Sequence, residues 1–400
     1  MKVLNLNLHF YPESIGGATV VAEKLAWGLV QQGHEVTNVF LGLRPGNADF
    51  TTQSTPFGRS IGIRNIPHSP SSRFFSPPAA SALKELIELV HPDRIFVHAV
   101  QHMGIHEVLS DPALREKTTV IAHDAFWMCL QGFRVLPDGS PCNREPNTEN
   151  CRQCAWFPGL TDNIYSTSRR VLSECRAVVF PSVFLEQSYT ALFGSTLPGN
   201  FVVQSNPDVA ETIIPDALML PPPAGSAARA AGKKVFGFVG GPGETKGWGL
   251  VRAFMKRAKE SHDKPDGVHV VLFDIGRSTG APWYPGLQQP GVTIADPFHW
   301  SFAGHALSAL DVMLMPSRVR ESFGLAAREI LSLGGGCIIR PSGALAELQG
   351  HKGVVVADHD DDDDDDVDSL LAALAASHDK QRAVWHSTSI DAYVAKLLSV

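Results

Sequence analysis

Two glutamates bracket a Ser-Phe-Gly turn in "RESFGLAAREILSLGGG" (320–336): Glu321 just before the turn, Glu329 eight residues further on. The stretch reads as a buried strand, "DVMLMPS", leaving through a loop, "RVRESFG", into a helix, "LAAREILSL". A helix starting there aims the backbone amides of Phe323, Gly324 and Leu325 out of its N-terminus, ready for a phosphate or a sugar oxygen. Carboxylates beside an anion site repel the anion unless they bind donors, and ribose and hexose hydroxyls are donors. The competing reading gives Glu329 to a helix salt bridge and Glu321 to a cap.

Three other stretches share this strand–loop–helix form. In "HFYPESIGGATVVAE" Gly16 and Gly17 precede a helix, a natural anion site, although the spacing is not that of a dinucleotide fingerprint and a plain tight turn fits equally. In "GFVGGPGETKGWGLV" Lys246 sits between a glycine-rich loop and a helix, placed to neutralise a diphosphate leaving group or simply to face solvent. In "VIAHDAFWMC" His123 and Asp124 end an apolar strand; such a histidine hydrogen-bonds a sugar oxygen or is a satisfied interior residue.

The elements that carry these residues alternate regularly. Apolar β-rich runs such as "KVLNLNL", "RIFVHAV", "KVFGFVG" and "GCIIRPS" are separated by helical patterns, among them "GATVVAEKLAWGLVQQG" with Val21, Leu25 and Leu29 on one face. That alternation predicts parallel sheets covered by helices on both faces. A Pro- and Ala-rich stretch at 213–234 marks a linker, so the expected domains are 1–210 and 211–385, with a terminal helix over 386–400 packing back on the first. Ligands in such sheets bind beyond the carboxyl ends of the strands. The run of seven aspartates, 360–366, reads as a solvated loop and not as a metal site.

Composition narrows the classes. The chain has 400 residues, is 44% hydrophobic and 19% charged, and carries a net charge of -7, which suits a globular protein and gives no support to nucleic-acid binding. No apolar run is long enough for a membrane span, the N-terminus reads as a first strand and not a leader, and six cysteines are no disulfide framework. These features predict a cytoplasmic protein.

Four of the six cysteines, Cys129, Cys142, Cys151 and Cys154, lie within 26 positions of a loop rich in Gly, Pro and Asn. A structural zinc ion held by the four thiolates is one reading; reduced thiols in a loop that shapes acceptor choice is the other. Cys175 and Cys337 read as core. Arg73, Phe74 and Phe75 form either a patch for peripheral contact with a membrane or a buried loop anchor.

Taken in order, Gly16-Gly17, His123-Asp124, "PSVFLEQSY", "SNPDV", Lys246-Gly247 and "ESFGLAAREILSLGGG" resemble glycosyltransferase family 4, whose E-x7-E element matches at Glu321 and Glu329. The resemblance runs from the first strand to about residue 395, with "PSGALAEL" (341–348) similar to the loop that follows the motif. It implies the α/β GT-B fold, two Rossmann-like doubly wound domains facing each other across a cleft, and retaining transfer from a nucleotide sugar.

It also implies roles. Glu329 would hold the donor ribose; Glu321, Ser322 and the amides of Phe323, Gly324 and Leu325 the sugar and diphosphate; Lys246 the leaving charge; His123 the sugar near the acceptor; Phe298 the base; Gly16 and Gly17 the diphosphate or acceptor. The transfer would need no metal cofactor. The donor would be a UDP- or GDP-sugar, the acceptor a saccharide, lipid-linked saccharide or small molecule. One position departs: family members usually carry an arginine where this chain has Gly241, leaving Arg318 or Arg320 to supply the cation. That departure keeps open a non-catalytic nucleotide-sugar-binding subunit, beside another GT-B activity such as an epimerase.

Overall fold

The computed structural model describes residues 1–42, 49–67, 69, 71–138, 140, 142–154, 158–193, 200–213, 220–273, 287–357, 367–379 and 383–400. The aspartate run and part of the linker lie outside the described residues. The chain divides into two compact units, Met1–Pro207 with Thr388–Val400, and Asp208–Ser387.

The first unit is built on one sheet of eight strands. These are β1 (Lys2–Leu6), β2 (Glu35–Leu41), β3 (Phe50–Thr55), β4 (Gly58–Ile63), β5 (Arg94–Val97), β6 (Thr118–Ile121), β7 (Ala177–Phe180) and β8 (Phe201–Val203). Their order is β3-β4-β2-β1-β5-β6-β7-β8, and every pair is parallel except β3 with β4. Val3, Leu4 and Leu6 of β1 are buried, as a central strand covered on both faces requires. Val21, Leu25 and Leu29 bury the apolar stripe of the helix Gly16–Gln31. The strands β3 and β4 escape the sequence reading. The middle of β3 is polar and exposed, as an edge strand can be, so it shows no apolar run.

The second unit is built on a six-stranded sheet. Its strands are β9 (Lys234–Val239), β10 (Val268–Phe273), β11 (Val292–Ala295), β12 (Val312–Met315), β13 (Gly336–Ile339) and β14 (Val354–Val356), in the order β11-β10-β9-β12-β13-β14, all parallel. In each sheet the chain starts in the middle and builds first to one side, then to the other. The reversal falls between β1 and β5 in the first unit and between β9 and β12 in the second. Loops leaving neighbouring strands at such a point diverge to opposite faces and leave a crevice at the carboxyl edge, where ligands bind.

No helix among the described residues is long and apolar enough to cross a membrane. Phe74 is not an interfacial residue either: it is 1% exposed and stacks on Phe126 with ring centroids 5.0 Å apart, while Arg73 donates to the carbonyl of Gln131 at 3.2 Å. This segment anchors a loop, and the membrane-patch reading of Arg73, Phe74 and Phe75 is set aside.

The helix Ile390–Ser399 closes the first unit. It lies on the helix Gly16–Gln31 so closely that a Cβ on Gly28 would stand 2.6 Å from Ile390 Cγ2 and 2.7 Å from Val394 Cγ2. The carbonyl of Tyr393 accepts from Gln204 Nε2 at 2.8 Å. Gly28→Leu is therefore expected to cost about 1–3 kcal/mol by overpacking this contact, read as a lower midpoint in urea unfolding. An unchanged midpoint would mean that the terminal helix is not held there.

Candidate functional site

The second unit gathers its chemistry at the reversal between β9 and β12. Beyond β9 the chain passes Gly240 and Gly241, makes the short turn Glu244–Lys246, and enters the helix Trp248–Glu260 through Gly247. Gly247 has a φ of 71°, and a Cβ there would overlap the carbonyl of Pro316 in the neighbouring loop. Only glycine lets the two loops meet. The backbone amides of Arg318 and Val319 donate to the carbonyl of Thr245 at 2.9 and 3.3 Å, which seals them together.

Lys246 Nζ consequently lies 2.8 Å from Glu321 Oε1, although 75 residues separate them. Lys246 is 44% exposed, and an ion pair so exposed contributes at most about 1 kcal/mol. Its service is positional: it holds an ammonium group against the carboxylate of Glu321, in the loop that leads into a helix. That helix, Leu325–Ser332, begins at Gly324 in the left-handed region with no side-chain cap, so its first amides point outward without one. Glu321 itself is fixed through its backbone, which bridges to Gly343 and accepts from the amide of Ala344 at 2.7 Å. Glu329 is buried in the second turn of the helix. Arg320 is half-buried and Arg318 exposed. Phe298, after β11, packs edge-on against Phe273 at 5.2 Å.

Beneath the turn lies Arg328, 2% exposed. Its guanidinium stands 4.2 Å from the centre of the Phe323 ring and 4.9 Å from that of Trp385, donates to the carbonyl of Phe323, and lies 3.4 Å from Glu347. Trp385 in turn donates to Asp208 at 3.0 Å. Burial lowers the Arg328 pKa to about 10 against the opposing pull of Glu347. Nothing in the sequence marks Arg328 or Trp385; an arginine in a helix next to Glu329 reads as a surface residue.

The first unit places its candidates at the reversal between β1 and β5. After β1, the helix Gly16–Gln31 starts at Gly16 (φ 80°) with no side-chain cap, and a Cβ on Gly16 or Gly17 would meet nothing within 4 Å. The approach to these amides is open within the unit. After β6, His123 is half-buried and pairs with His98, the residue that follows β5: Nδ1 of His98 lies 2.8 Å from Nε2 of His123, with the rings nearly parallel at 5.1 Å. Asp124 is used internally. It accepts from the Phe126 amide at 2.8 Å and from Gln101 at 3.3 Å, and burial raises its pKa against these bonds. The same signal that singles out His123, a histidine just past an apolar strand, is present at His98 in "RIFVHAV".

Residues 15–206 match the model of Glycosyltransferase Family 4. The first unit is a Family 4 domain. No curated protein matches the chain. Among solved structures it is similar to a sucrose-phosphate synthase from Thermosynechococcus elongatus, at 16% identity, TM-score 0.59, over 94% of this chain and 91% of that one. The catalytic domain of starch synthase IV from Arabidopsis thaliana, bound to ADP and acarbose, matches at 15% identity, TM-score 0.58, over 95% and 92%. A trehalose-6-phosphate synthase, OtsA, matches at 14% identity, TM-score 0.63, over 100% and 98%. The fold is thus GT-B, and with its Family 4 domain the chain is a glycosyltransferase of that type.

In the transferase, Cys129, Cys142, Cys151 and Cys154 line one small cavity of about 20 Å³, and all six cysteines are free thiols. Burial raises the Cys151 and Cys154 pKa values, and the neighbouring cysteines raise them further. Among the described residues no three His, Cys, Asp or Glu side chains stand at metal-holding geometry. Cys175 and Cys337 are buried.

Three histidines of the Family 4 domain are kept neutral. Burial lowers the His123 pKa to about 3 and that of His106 to about 4; burial, then repulsion from His123, lowers that of His98 well below the ordinary value. The unfolded chain takes up these protons near pH 6.5, the folded chain only lower. Their neutral forms favour the fold above pH 6.5, and that advantage is lost as pH falls towards 4 and 3. Unfolding free energy should therefore decline on acidification between pH 6.5 and 5. His123→Gln should make that decline shallower by about 1 kcal/mol per pH unit, measured by urea unfolding across that range. An unaltered slope would show that His123 is not held neutral.

Proposed function

We propose that the protein is a retaining glycosyltransferase that moves a hexose from a UDP- or GDP-sugar to an acceptor hydroxyl, in the synthesis of a glycan or glycoconjugate in the cytoplasm. The observation that carries this reading is the Lys246–Glu321 pair beside the uncapped start of the helix Leu325–Ser332. A cation, outward amides and a carboxylate at one carboxyl edge suit a diphosphate joined to a polyhydroxylated sugar. On this reading Lys246 moves from Glu321 to the diphosphate when donor binds, and Glu321 is freed to accept from sugar hydroxyls. Ser322 and the amides of Phe323, Gly324 and Leu325 hold phosphate and sugar oxygens, Glu329 the ribose, and Phe298 the base. Arg320, in the loop sealed to the Lys246 turn, supplies the cation missing at Gly241. In the Family 4 domain Gly16 and Gly17 receive phosphate or acceptor, and His123 a sugar oxygen.

The chemistry follows from those groups. The acceptor oxygen bonds to the anomeric carbon on the side the diphosphate leaves, the bond from that carbon to the phosphate oxygen breaks, and the freed phosphate oxygen takes the acceptor proton. The protein positions the reactants and stabilises the leaving charge; no metal is assigned to the transfer.

A thermal-shift panel of UDP-, GDP-, ADP- and TDP-sugars tests the donor site, since a ligand that binds the native state raises its Tm. One nucleotide family should give a shift that Glu329→Ala abolishes. Lys246→Met should lower kcat about 10²-fold or more while the donor still binds. A folded protein that no sugar nucleotide stabilises would sink the reading. A protein that binds donor without turning it over on any acceptor would make Gly241 the mark of a binding subunit.

The four-cysteine loop carries its own reading. We propose that the four thiols lining one cavity would be the ligands of a structural zinc ion, although among the described residues no three of them stand at metal-holding geometry. Native mass spectrometry should then find one zinc per chain, lost in the Cys151→Ser/Cys154→Ser variant together with part of the thermal stability. Metal-free protein with four readily alkylated thiols would leave the loop as an acceptor-shaping element.

A further inference from the structure

The paired histidines of the Family 4 domain carry an inference about proton placement. His98 is 3% exposed, and its Nε2 is a buried nitrogen with no hydrogen-bond partner. Its Nδ1 is committed to Nε2 of His123 at 2.8 Å. The backbone of His98 is anchored as well, its amide donating to the carbonyl of Leu6 at 2.9 Å. The residue is therefore held through its backbone and through Nδ1, and among the described residues the side chain that its ring hydrogen-bonds is His123.

Two arrangements of the protons satisfy this pair, because both rings are neutral and one proton must lie between them. In the first, His98 Nδ1 carries hydrogen and donates. His98 Nε2 is then a bare lone pair, and His123, accepting at Nε2, carries its own proton on Nδ1. In the second, His123 Nε2 donates, which leaves His123 Nδ1 bare and forces a hydrogen onto His98 Nε2. The two differ in what is buried without a partner: an acceptor in the first, an N–H donor in the second. Among backbone groups an orphaned buried N–H is the rarer case and an under-satisfied carbonyl less so, and the same preference applied to the two imidazoles favours the first arrangement.

We propose that His98 is a positioning residue that fixes His123 as the tautomer with its proton on Nδ1, so that His123 meets the substrate as an N–H donor to an oxygen and not as a base. This rests on the reading that His123 addresses the sugar. It assigns His123 a single direction of hydrogen bonding: a ring oxygen, carbonyl or hydroxyl lone pair of the substrate is its partner. The acceptor's proton is thereby not given to His123, which agrees with its transfer to the leaving phosphate oxygen.

The test has a spectroscopic and a kinetic arm. In ¹⁵N-histidine protein at pH 7, long-range proton–nitrogen correlation separates protonated from bare ring nitrogens, and His123→Gln identifies the His123 signals. The expected result is a protonated Nδ1 and a bare Nε2 on His123; the reverse overturns the proposal. In His98→Asn the amide N–H can take the place of Nδ1–H, so the tautomer and kcat should stay within about threefold of wild type. In His98→Phe the bias is gone, and kcat should fall about 10²-fold with little change in the donor KM, as when one oriented donor is lost. A folded His98→Phe with wild-type kcat also overturns it. Absence of turnover in wild type would count against the transferase reading alone, and the tautomer measurement would still decide for His98.

Discussion

Arg328 is the residue on which the second unit's site depends. A guanidinium buried to this degree is costly unless its surroundings answer its charge; two aromatic faces, a carbonyl and a carboxylate do so here, while Nε has no hydrogen-bond partner among the described residues. Those partners come from the Ser-Phe-Gly turn, the loop after β13 and the segment near Ser387. One buried cation therefore joins three stretches of chain. The turn that carries Glu321 inherits its rigidity, and Lys246 finds a carboxylate at a fixed place because of it.

The two units solve the same problem with different side chains. A reversal in a parallel sheet sends adjoining loops to opposite faces, so the crevice exists before any functional residue is chosen. In the second unit it is furnished with a lysine, a glutamate and outward amides. In the Family 4 domain it holds an open glycine pair after β1 and two stacked imidazoles after β5 and β6. The first set suits charge, the second suits directional hydrogen bonding.

Much of this was legible in the chain itself. Parallel strands here are short apolar runs, so β1, β2, β5 to β8 and β9 to β14 announce themselves, including the half-buried edge strands β8 and β11, whereas the polar edge strand β3 does not. Glu321, Glu329 and Lys246 were readable as types beside glycine-rich loops. That Lys246 reaches Glu321 was not, since the contact depends on Gly247 allowing the loops after β9 and β12 to touch. Arg328 was invisible for a related reason, and His98, though it carries the same strand-end signal as His123, gave no sign of their pairing. Their meaning lies in what surrounds them, and a helical arginine or a strand-end histidine has no sequence pattern that reports a ring stacked above it. Phe74 shows the opposite case: an aromatic pair beside an arginine suggests a surface patch until Phe126 is found lying on it.

The division of the chain has a consequence in time. The first unit is completed by residues 388–400, so the helix Gly16–Gln31 and the side chain of Gln204 wait for partners that are synthesised after the whole second unit. During translation the earlier unit emerges first yet lacks its cover, with the groove around Gly28 bare while roughly half of the polypeptide is still to be made. The later unit, contiguous from Asp208 to Ser387, has no such delay. Order of synthesis and order of completion are thus reversed, and a released chain that stopped before residue 388 would hold a complete second unit behind an unfinished first.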